Sequence, residues 1–200
     1  LQYVTLDKVE ARLTASNLRA APHGSLKVEG AAGFGALQST VSFAAMQADA
    51  FHFTDLSLLL GPYKATGNLI ATAQKPLTGS VKVETVGGDA VDSIVNANME
   101  FTNDEGVQGA SIQGSLENFI TYLVSGERIT LESAEVDASA IFAKAGPLIS
   151  LNASAKNLFH PKFQMNRGTL STAPDGAGFN YKLETFGSSL MPYNLSASGN

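Results

Sequence analysis

The stretch from Phe51 to Glu84, FHFTDLSLLLGPYKATGNLIATAQKPLTGSVKVE, decides the fold. Two turn signals, Gly61-Pro62 and Lys75-Pro76-Leu77-Thr78-Gly79, divide it into three segments. Polar residues alternate with apolar or small ones in the middle segment, and Ile70 is the exception. This period of two is typical of a strand with one dry face and one wet face, so the stretch predicts three strands. The dry face of the middle segment comprises Tyr63, Ala65, Gly67, Leu69, Ala71 and Ala73.

The same alternation continues on both sides of this stretch, with turn signals about every 8 to 12 residues. It predicts an all-β fold, a long antiparallel meander of a dozen or so strands. One phase slip interrupts the first alternating segment, because Val4 and Leu6 have one parity and Val9 has the other. A β-bulge near Asp7-Lys8 would restore the alternation.

One short segment is ambiguous between helix and strand. Leu116, Phe119, Ile120 and Leu123 have helical spacing, and the neighbouring Ser115 and Gly126 suit helix ends. The Phe, Ile, Thr, Tyr and Val residues of the segment also favour strands. We therefore expect either a strand or one short helix near residues 116–125.

The composition narrows the class of protein. Charged residues make up 16% of the chain, below the usual quarter or so, and much of the 44% hydrophobic content is alanine. Tryptophan is absent, which suggests a thin core, as in a single sheet with one apolar face. The absence of cysteine excludes disulfides and cysteine-based zinc sites. The net charge of −5, with scattered basic residues, argues against nucleic-acid binding.

No pattern in the sequence predicts catalysis, a metal site or a cofactor. His23, His52 and His160 lack metal-ligand spacing. His52 and Asp55 are three apart, so in a regular strand their side chains would point to opposite faces. The glycine-rich segment 30–35 lacks the Gly-Lys-Ser/Thr ending of a phosphate-binding loop. We therefore expect a protein that is not an enzyme and that uses no cofactor.

The apolar face of such a sheet needs a cover, and the sequence offers at most one short helix. The sheet must therefore fold on itself, close, or leave a groove, and an apolar groove of this size normally holds an apolar ligand. Candidate groove-lining residues are those large apolar side chains that alternate most clearly with polar ones. They are Val41, Phe43, Leu69, Val81, Val83, Val95, Met99, Phe101, Phe179, Tyr181 and Leu183.

The residue pattern of the chain resembles that of the β-rich C-terminal repeats of TamB-type proteins, which belong to the AsmA-like bacterial envelope proteins. The segments that carry this resemblance combine small polar residues, glycine and aliphatic residues. They are LDKVEARLTASNL (6–18), GSLKVEG (24–30), YKATGNLIA (63–71) and TLESAEVDA (130–138).

The resemblance implies a β-taco, a long sheet folded lengthwise around an apolar groove. It also implies a periplasmic conduit of outer-membrane biogenesis in a diderm bacterium, which carries phospholipid acyl chains or nascent outer-membrane protein segments between the two membranes. The parent protein would be anchored in the inner membrane and would work with an Omp85-type outer-membrane protein. A helix near 116–125 would interrupt the groove.

Two alternatives remain open. A structural β protein, such as a surface adhesin or passenger stalk, would have a closed core and a fixed repeat period, and no fixed period is found. A closed sheet that crosses a membrane would group aromatic residues near strand ends, whereas Phe and Tyr are spread along the chain. The chain lacks an initiating Met and ends in strand-like sequence, so we expect residues 1–200 to be one β-rich fragment of a longer protein.

Overall fold

The computed structural model describes residues 6–32, 35–47, 50–72, 77–87, 93–123, 125–144, 146–176 and 178–199. These residues form strands and turns, without a helix. The strands are β1 (Leu6–Ser16), β2 (His23–Ala32), β3 (Gly35–Gln47), β4 (Ala50–Leu60), β5 (Tyr63–Thr72), β6 (Thr78–Thr85), β7 (Ile94–Asp104), β8 (Val107–Tyr122), β9 (Arg128–Ala143), β10 (Gly146–His160), β11 (Phe163–Asp175), β12 (Gly178–Ser188) and β13 (Pro192–Gly199).

The strands follow each other in the sheet in the same order as in the chain, from β1 to β13. Neighbouring strands are antiparallel, as consecutive alternating segments separated by turn residues predict. The sheet is not closed, and β1 and β13 are its two edges. The predicted all-β antiparallel meander is therefore confirmed.

Of the two structures expected near residues 116–125, the strand is correct and the short helix is wrong. Residues 116–122 belong to β8, whereas Val124 lies outside the described residues. Asn118 has a φ of 53° within this strand. A left-handed residue in a strand shifts the alternation by one position, so that residues on one face can lie three apart. That spacing between Leu116 and Phe119 imitates a helical repeat.

The predicted bulge at Asp7-Lys8 is confirmed. Lys8 has a φ of 50°, and the pairing of β1 with β2 shifts between Asp7 and Glu10. A similar shift occurs in β4, where Asp55 has a φ of 53° and the pairing with β5 shifts between Phe53 and Leu56. Each bulge keeps the apolar side chains of its strand on one face despite a slip in the sequence pattern.

The contacts of the chain divide it into two compact units. Unit 1 comprises Leu1–Asp89 and Asn98–Gln108, and unit 2 comprises Ala90–Ala97 and Gly109–Asn200. In the described part of the chain, Val81 is the one large apolar side chain that is buried, with 8% of its surface exposed. The apolar face is therefore half-covered, and backbone hydrogen bonds between strands hold much of the fold together.

Within the described ranges, no helix has the length and apolar character needed to cross a bilayer. The expectation that the chain is one fragment of a longer protein stays a prediction.

Candidate functional site

The pairing of strands in unit 2 collects small apolar side chains on one face. Ala153 of β10 lies opposite Val136 of β9 and Leu170 of β11. Leu170 in turn lies opposite Leu183 of β12. Residues directly opposite each other in an antiparallel sheet share a face, so these four side chains form one transverse row.

A cavity of about 540 Å³ lies on this face, within unit 2. It is lined by six consecutive strands, β7 to β12. We call it the groove. Its lining includes Val95, Ala97, Gly114, Leu116, Ala134, Val136, Ala153, Ala155, Met165, Gly168, Leu170, Leu183 and Thr185.

Small residues give the groove its depth. The sulfur of Met165 lies 2.7 Å from the position that a Cβ atom would take on Gly168. A Cβ atom on Gly114 would lie 3.0 Å from the Cβ atom of Ala97. Glycine therefore leaves room for a neighbouring side chain at both positions, and a larger residue at either would displace the wall of the groove.

Met165 reaches the face of the groove beside a shift in the pairing of β11 with β12, which falls between Met165 and Arg167. Leu158 pairs with Met165, and Ala155 pairs with Gly168. Ala155 and Leu158 are three residues apart on β10, and Met165 and Gly168 are three residues apart on β11. Asn157 lies between Ala155 and Leu158 with a φ of 50°, and its side-chain amide donates a 2.5 Å hydrogen bond to Glu132 Oε2 on β9. The left-handed residue therefore resets the alternation, as it does at Asn118.

Unit 1 has an apolar face of the same kind. Phe43 of β3 lies opposite Phe53 of β4, which lies opposite Leu69 of β5. The Cζ atom of Phe43 is 2.9 Å from the position of a Cβ atom on Gly24, so the ring covers this glycine. Val81 covers Gly67 in the same way, with its Cγ2 atom at 3.1 Å.

The structure places the candidate lining residues as follows. Phe43 and Leu69 both pair with Phe53, and Val41 alternates with Phe43 on β3. Val81 and Val83 pair with Gly67 and Ala65, which alternate with Leu69 on β5, so these five candidates share the apolar face of unit 1. That these residues line a ligand site stays a prediction.

The remaining candidates divide between the units. Val95 and Leu183 line the groove. Phe179 and Tyr181 alternate with Leu183 on the same face of β12 but lie outside the cavity, with 55% and 39% of their surfaces exposed. Met99 and Phe101 occupy half-buried positions of β7 in unit 1.

Sequence reasoning missed the centre of the groove. Alanines of β9 and β10, together with Leu116 and Leu170, were not among the candidates. The signal was present, since Ala134, Val136 and Ala138 alternate with charged and polar residues in the sequence. Small side chains carry less apolar surface, so a choice based on large residues passes over them.

None of the protein-family models, curated proteins or solved structures that were compared with the chain matches it. The resemblance to TamB-type proteins is therefore a basis for proposal only.

The opposite face of the sheet is polar and carries a recurring ion pair. Lysine and glutamate two residues apart in one strand meet at 2.8 Å (Lys27 and Glu29), 2.5 Å (Lys82 and Glu84) and 2.9 Å (Lys182 and Glu184). The hydrogen bond from Lys82 lowers the pKa of the Glu84 carboxyl below its ordinary value near 4.5, and the charges of Lys82 and Lys64 lower it further. These exposed pairs make a hydrated surface rather than a site.

The histidines do not form a cluster. His23 contacts the carbonyl of Ala21 at 3.1 Å, His52 lies opposite Ile70 in β5, and the ring of His160 stacks on Phe163. Among the residues that the structure describes, no group of three His, Asp or Glu residues could hold a metal ion. The expectations that the protein is not an enzyme and uses no cofactor stay predictions.

Proposed function

We propose that the protein binds phospholipid acyl chains in its groove and passes them along the apolar face of the sheet without chemical change. The observation that carries this proposal is the groove of unit 2, about 540 Å³ in volume and lined by alanine, valine, leucine and methionine side chains on a half-covered sheet face. An enzyme pocket needs convergent polar groups, whereas sliding of a chain needs a uniform apolar lining.

The volume of the groove suits one acyl chain. A group of the size of water takes about 30 Å³, so 540 Å³ accommodates on the order of 18 methylene-sized groups. Each buried methylene contributes about 0.8 kcal/mol, and a smooth wall offers nearly the same free energy at every position. A chain can therefore be held firmly and still move along the wall.

The wider setting follows from the resemblance to TamB-type proteins. In this proposal the sheet folds lengthwise around the groove, and the protein works in the periplasm of a diderm bacterium. A parent protein anchored in the inner membrane, with an Omp85-type partner at the outer membrane, would use the apolar face as a path for phospholipid during outer-membrane biogenesis. The structural alternative requires a closed core, and the half-covered apolar face of the described residues counts against it.

Native mass spectrometry of the protein purified from cells without detergent, with lipid extraction of the same sample, tests the proposal. We expect phospholipid to be bound in roughly stoichiometric amounts. Leu170→Asp should abolish this binding because it places a charge on the face of the groove, opposite Ala153 and Leu183.

The matched control is Ser171→Asp, one residue further along β11. Ser171 is also half-buried, but it pairs with Asn152 and Lys182 on the polar face. This variant should retain its lipid. A stable, lipid-free wild-type monomer would overturn the proposal, and so would equal lipid loss in the two variants.

A further inference from the structure

Three hairpin turns at one end of unit 2 present large apolar side chains to solvent. The exposed fractions are 61% for Tyr122 and 41% for Leu123 in the β8–β9 turn, and 40% for Phe163 after the β10–β11 turn. In the β12–β13 turn they are 100% for Leu190 and 76% for Met191. We call these five residues the apolar tips.

The β10–β11 turn lies between the other two turns and contacts both. Glu127 of the β8–β9 turn lies 3.8 Å from the Nζ atom of Lys162 and 3.9 Å from the Nε2 atom of His160, both at the β10–β11 turn. Ser189 of the β12–β13 turn donates a 2.9 Å hydrogen bond from its hydroxyl to the Lys162 carbonyl. The apolar tips therefore form one row, although they are up to 69 positions apart between Tyr122 and Met191 in the sequence.

Local hydrogen bonds hold two of the turns in place. The amide of Leu123 donates to the carbonyl of Glu127 at 2.9 Å, and the amide of Gly126 donates to the carbonyl of Leu123 at 2.8 Å. The amide of Ser189 donates to the carbonyl of Met191 at 3.1 Å. The exposure of these side chains thus belongs to ordered turns.

The turns at the other end of unit 2 differ. Their described residues include Lys144 and Gly146 where β9 meets β10, and Asp175 and Gly176 where β11 meets β12. Charged residues and glycine are what a hydrated hairpin tip requires. The exposed apolar side chains near that end, such as Phe142 and Phe179, lie in the strands rather than in the turns.

We propose that the apolar tips insert into the interfacial layer of a phospholipid bilayer and dock this end of the sheet on a membrane. Leucine, methionine and phenylalanine gain free energy on leaving water, while tyrosine and lysine favour the headgroup level. The charges fit this surface as well. Lys162 and the exposed Arg128 are cationic, and the one carboxylate of the three turns, Glu127, is paired with Lys162.

This docking surface is separate from the groove, and its existence does not depend on what the groove binds. The two are close, however, since Met165 of the groove lies two residues from Phe163 of the apolar tips. Two strand residues span about 7 Å. A membrane at the apolar tips would therefore lie near one end of the groove.

Vesicle flotation tests the proposal with the whole 200-residue protein. The vesicles contain phosphatidylcholine with phosphatidylglycerol, or phosphatidylcholine alone. We expect binding to both, weaker on phosphatidylcholine alone and weaker at high salt, because Lys162 and Arg128 face anionic headgroups. Failure of the wild-type protein to float with either kind of vesicle would overturn the proposal.

The informative variant is Leu190→Ser combined with Met191→Ser, which removes two side chains that support no strand. We expect about a tenfold loss of apparent affinity for vesicles, as for two partly inserted apolar side chains. The matched control is Ile141→Ser with Leu148→Ser, an exposed apolar pair on the polar face near the other end of unit 2. The proposal fails if this control loses as much affinity as the tip variant while circular dichroism shows both to be folded.

A site-specific label distinguishes a bilayer from any other partner. The chain has no cysteine, so Leu190→Cys takes an environment-sensitive fluorophore at one position only. We expect a blue shift on addition of vesicles and quenching by lipids that carry a quencher in the acyl chain. The same label on Asp175→Cys, at the other end, should stay in water. An unshifted label at position 190 on vesicle-bound protein would refute insertion.

Discussion

The two faces of the sheet in unit 2 show how differently one set of strands can be used. On β9 the face of the groove carries Ala134 and Val136, whereas Ser133 and Glu135, at the alternate positions, belong to the polar face. The polar face has cross-strand contacts of its own, such as the 3.2 Å hydrogen bond from Gln113 Nε2 to Asp137 Oδ2. The groove face carries mainly half-buried apolar residues, such as Ala153 and Leu170.

This difference shows that the apolar face does not serve as an ordinary core. In the described part of the chain, no side chain is completely buried. Cross-strand polar pairs and backbone ladders contribute to stability on every strand, whereas an uncovered apolar face contributes less than a packed one. A cover on the apolar face would therefore bury further apolar surface.

The largest expected effect comes from a charge at the best-covered apolar position. Val81→Asp should destabilise the protein by about 3 kcal/mol, because a valine side chain over Gly67 is replaced by a carboxylate away from water. Urea unfolding measures this change. The neighbouring Lys82→Asp, on the polar face, should cost far less. Equal losses in the two variants would contradict the two-faced description.

A smaller effect is expected from filling the groove without charging it. Ala153→Trp places a large ring between Val136 and Leu170, so bound phospholipid should fall about tenfold. Stability should change by less than about 0.5 kcal/mol, since the ring enters an open space rather than a packed one.

Ser171→Trp provides the comparison for this variant on the polar face. It should leave both lipid content and the urea midpoint unchanged. The protein itself has no tryptophan, so the tryptophan fluorescence of each variant comes only from the introduced ring. Unchanged lipid in Ala153→Trp would place the acyl chain elsewhere.

Much of the fold could be predicted from the sequence, because a period of two is a local signal. The bulge at Asp7-Lys8 was predictable for the same reason, because a one-residue slip in the alternation within a strand indicates a bulge. The segment 116–122 was not, because the left-handed Asn118 produces the spacing of a helix. Local spacing cannot separate these two structures.

The candidate site was less predictable than the fold. Ala153 becomes part of the groove only through its pairing with Val136 and Leu170, and no single segment of the sequence determines this register. The apolar tips depend on the meander in the same way, because Tyr122 and Leu190 come to the same end of unit 2 only when alternate turns meet there. Tertiary pairing, rather than local pattern, creates both surfaces.

The smallest expected effect lies on the polar face and depends on pH. Lys82 lowers the pKa of the Glu84 carboxyl, so the folded state binds the Glu84 proton less readily than the unfolded state does. The pair therefore stabilises the fold above pH 4.5, and this contribution is lost as the pH falls through the lowered pKa. Lys82→Gln should make the urea midpoint less sensitive to pH in that acidic range and barely change it at neutral pH, because exposed ion pairs contribute little. A large loss of stability at neutral pH would mean that the polar face supports the sheet more than its exposure suggests.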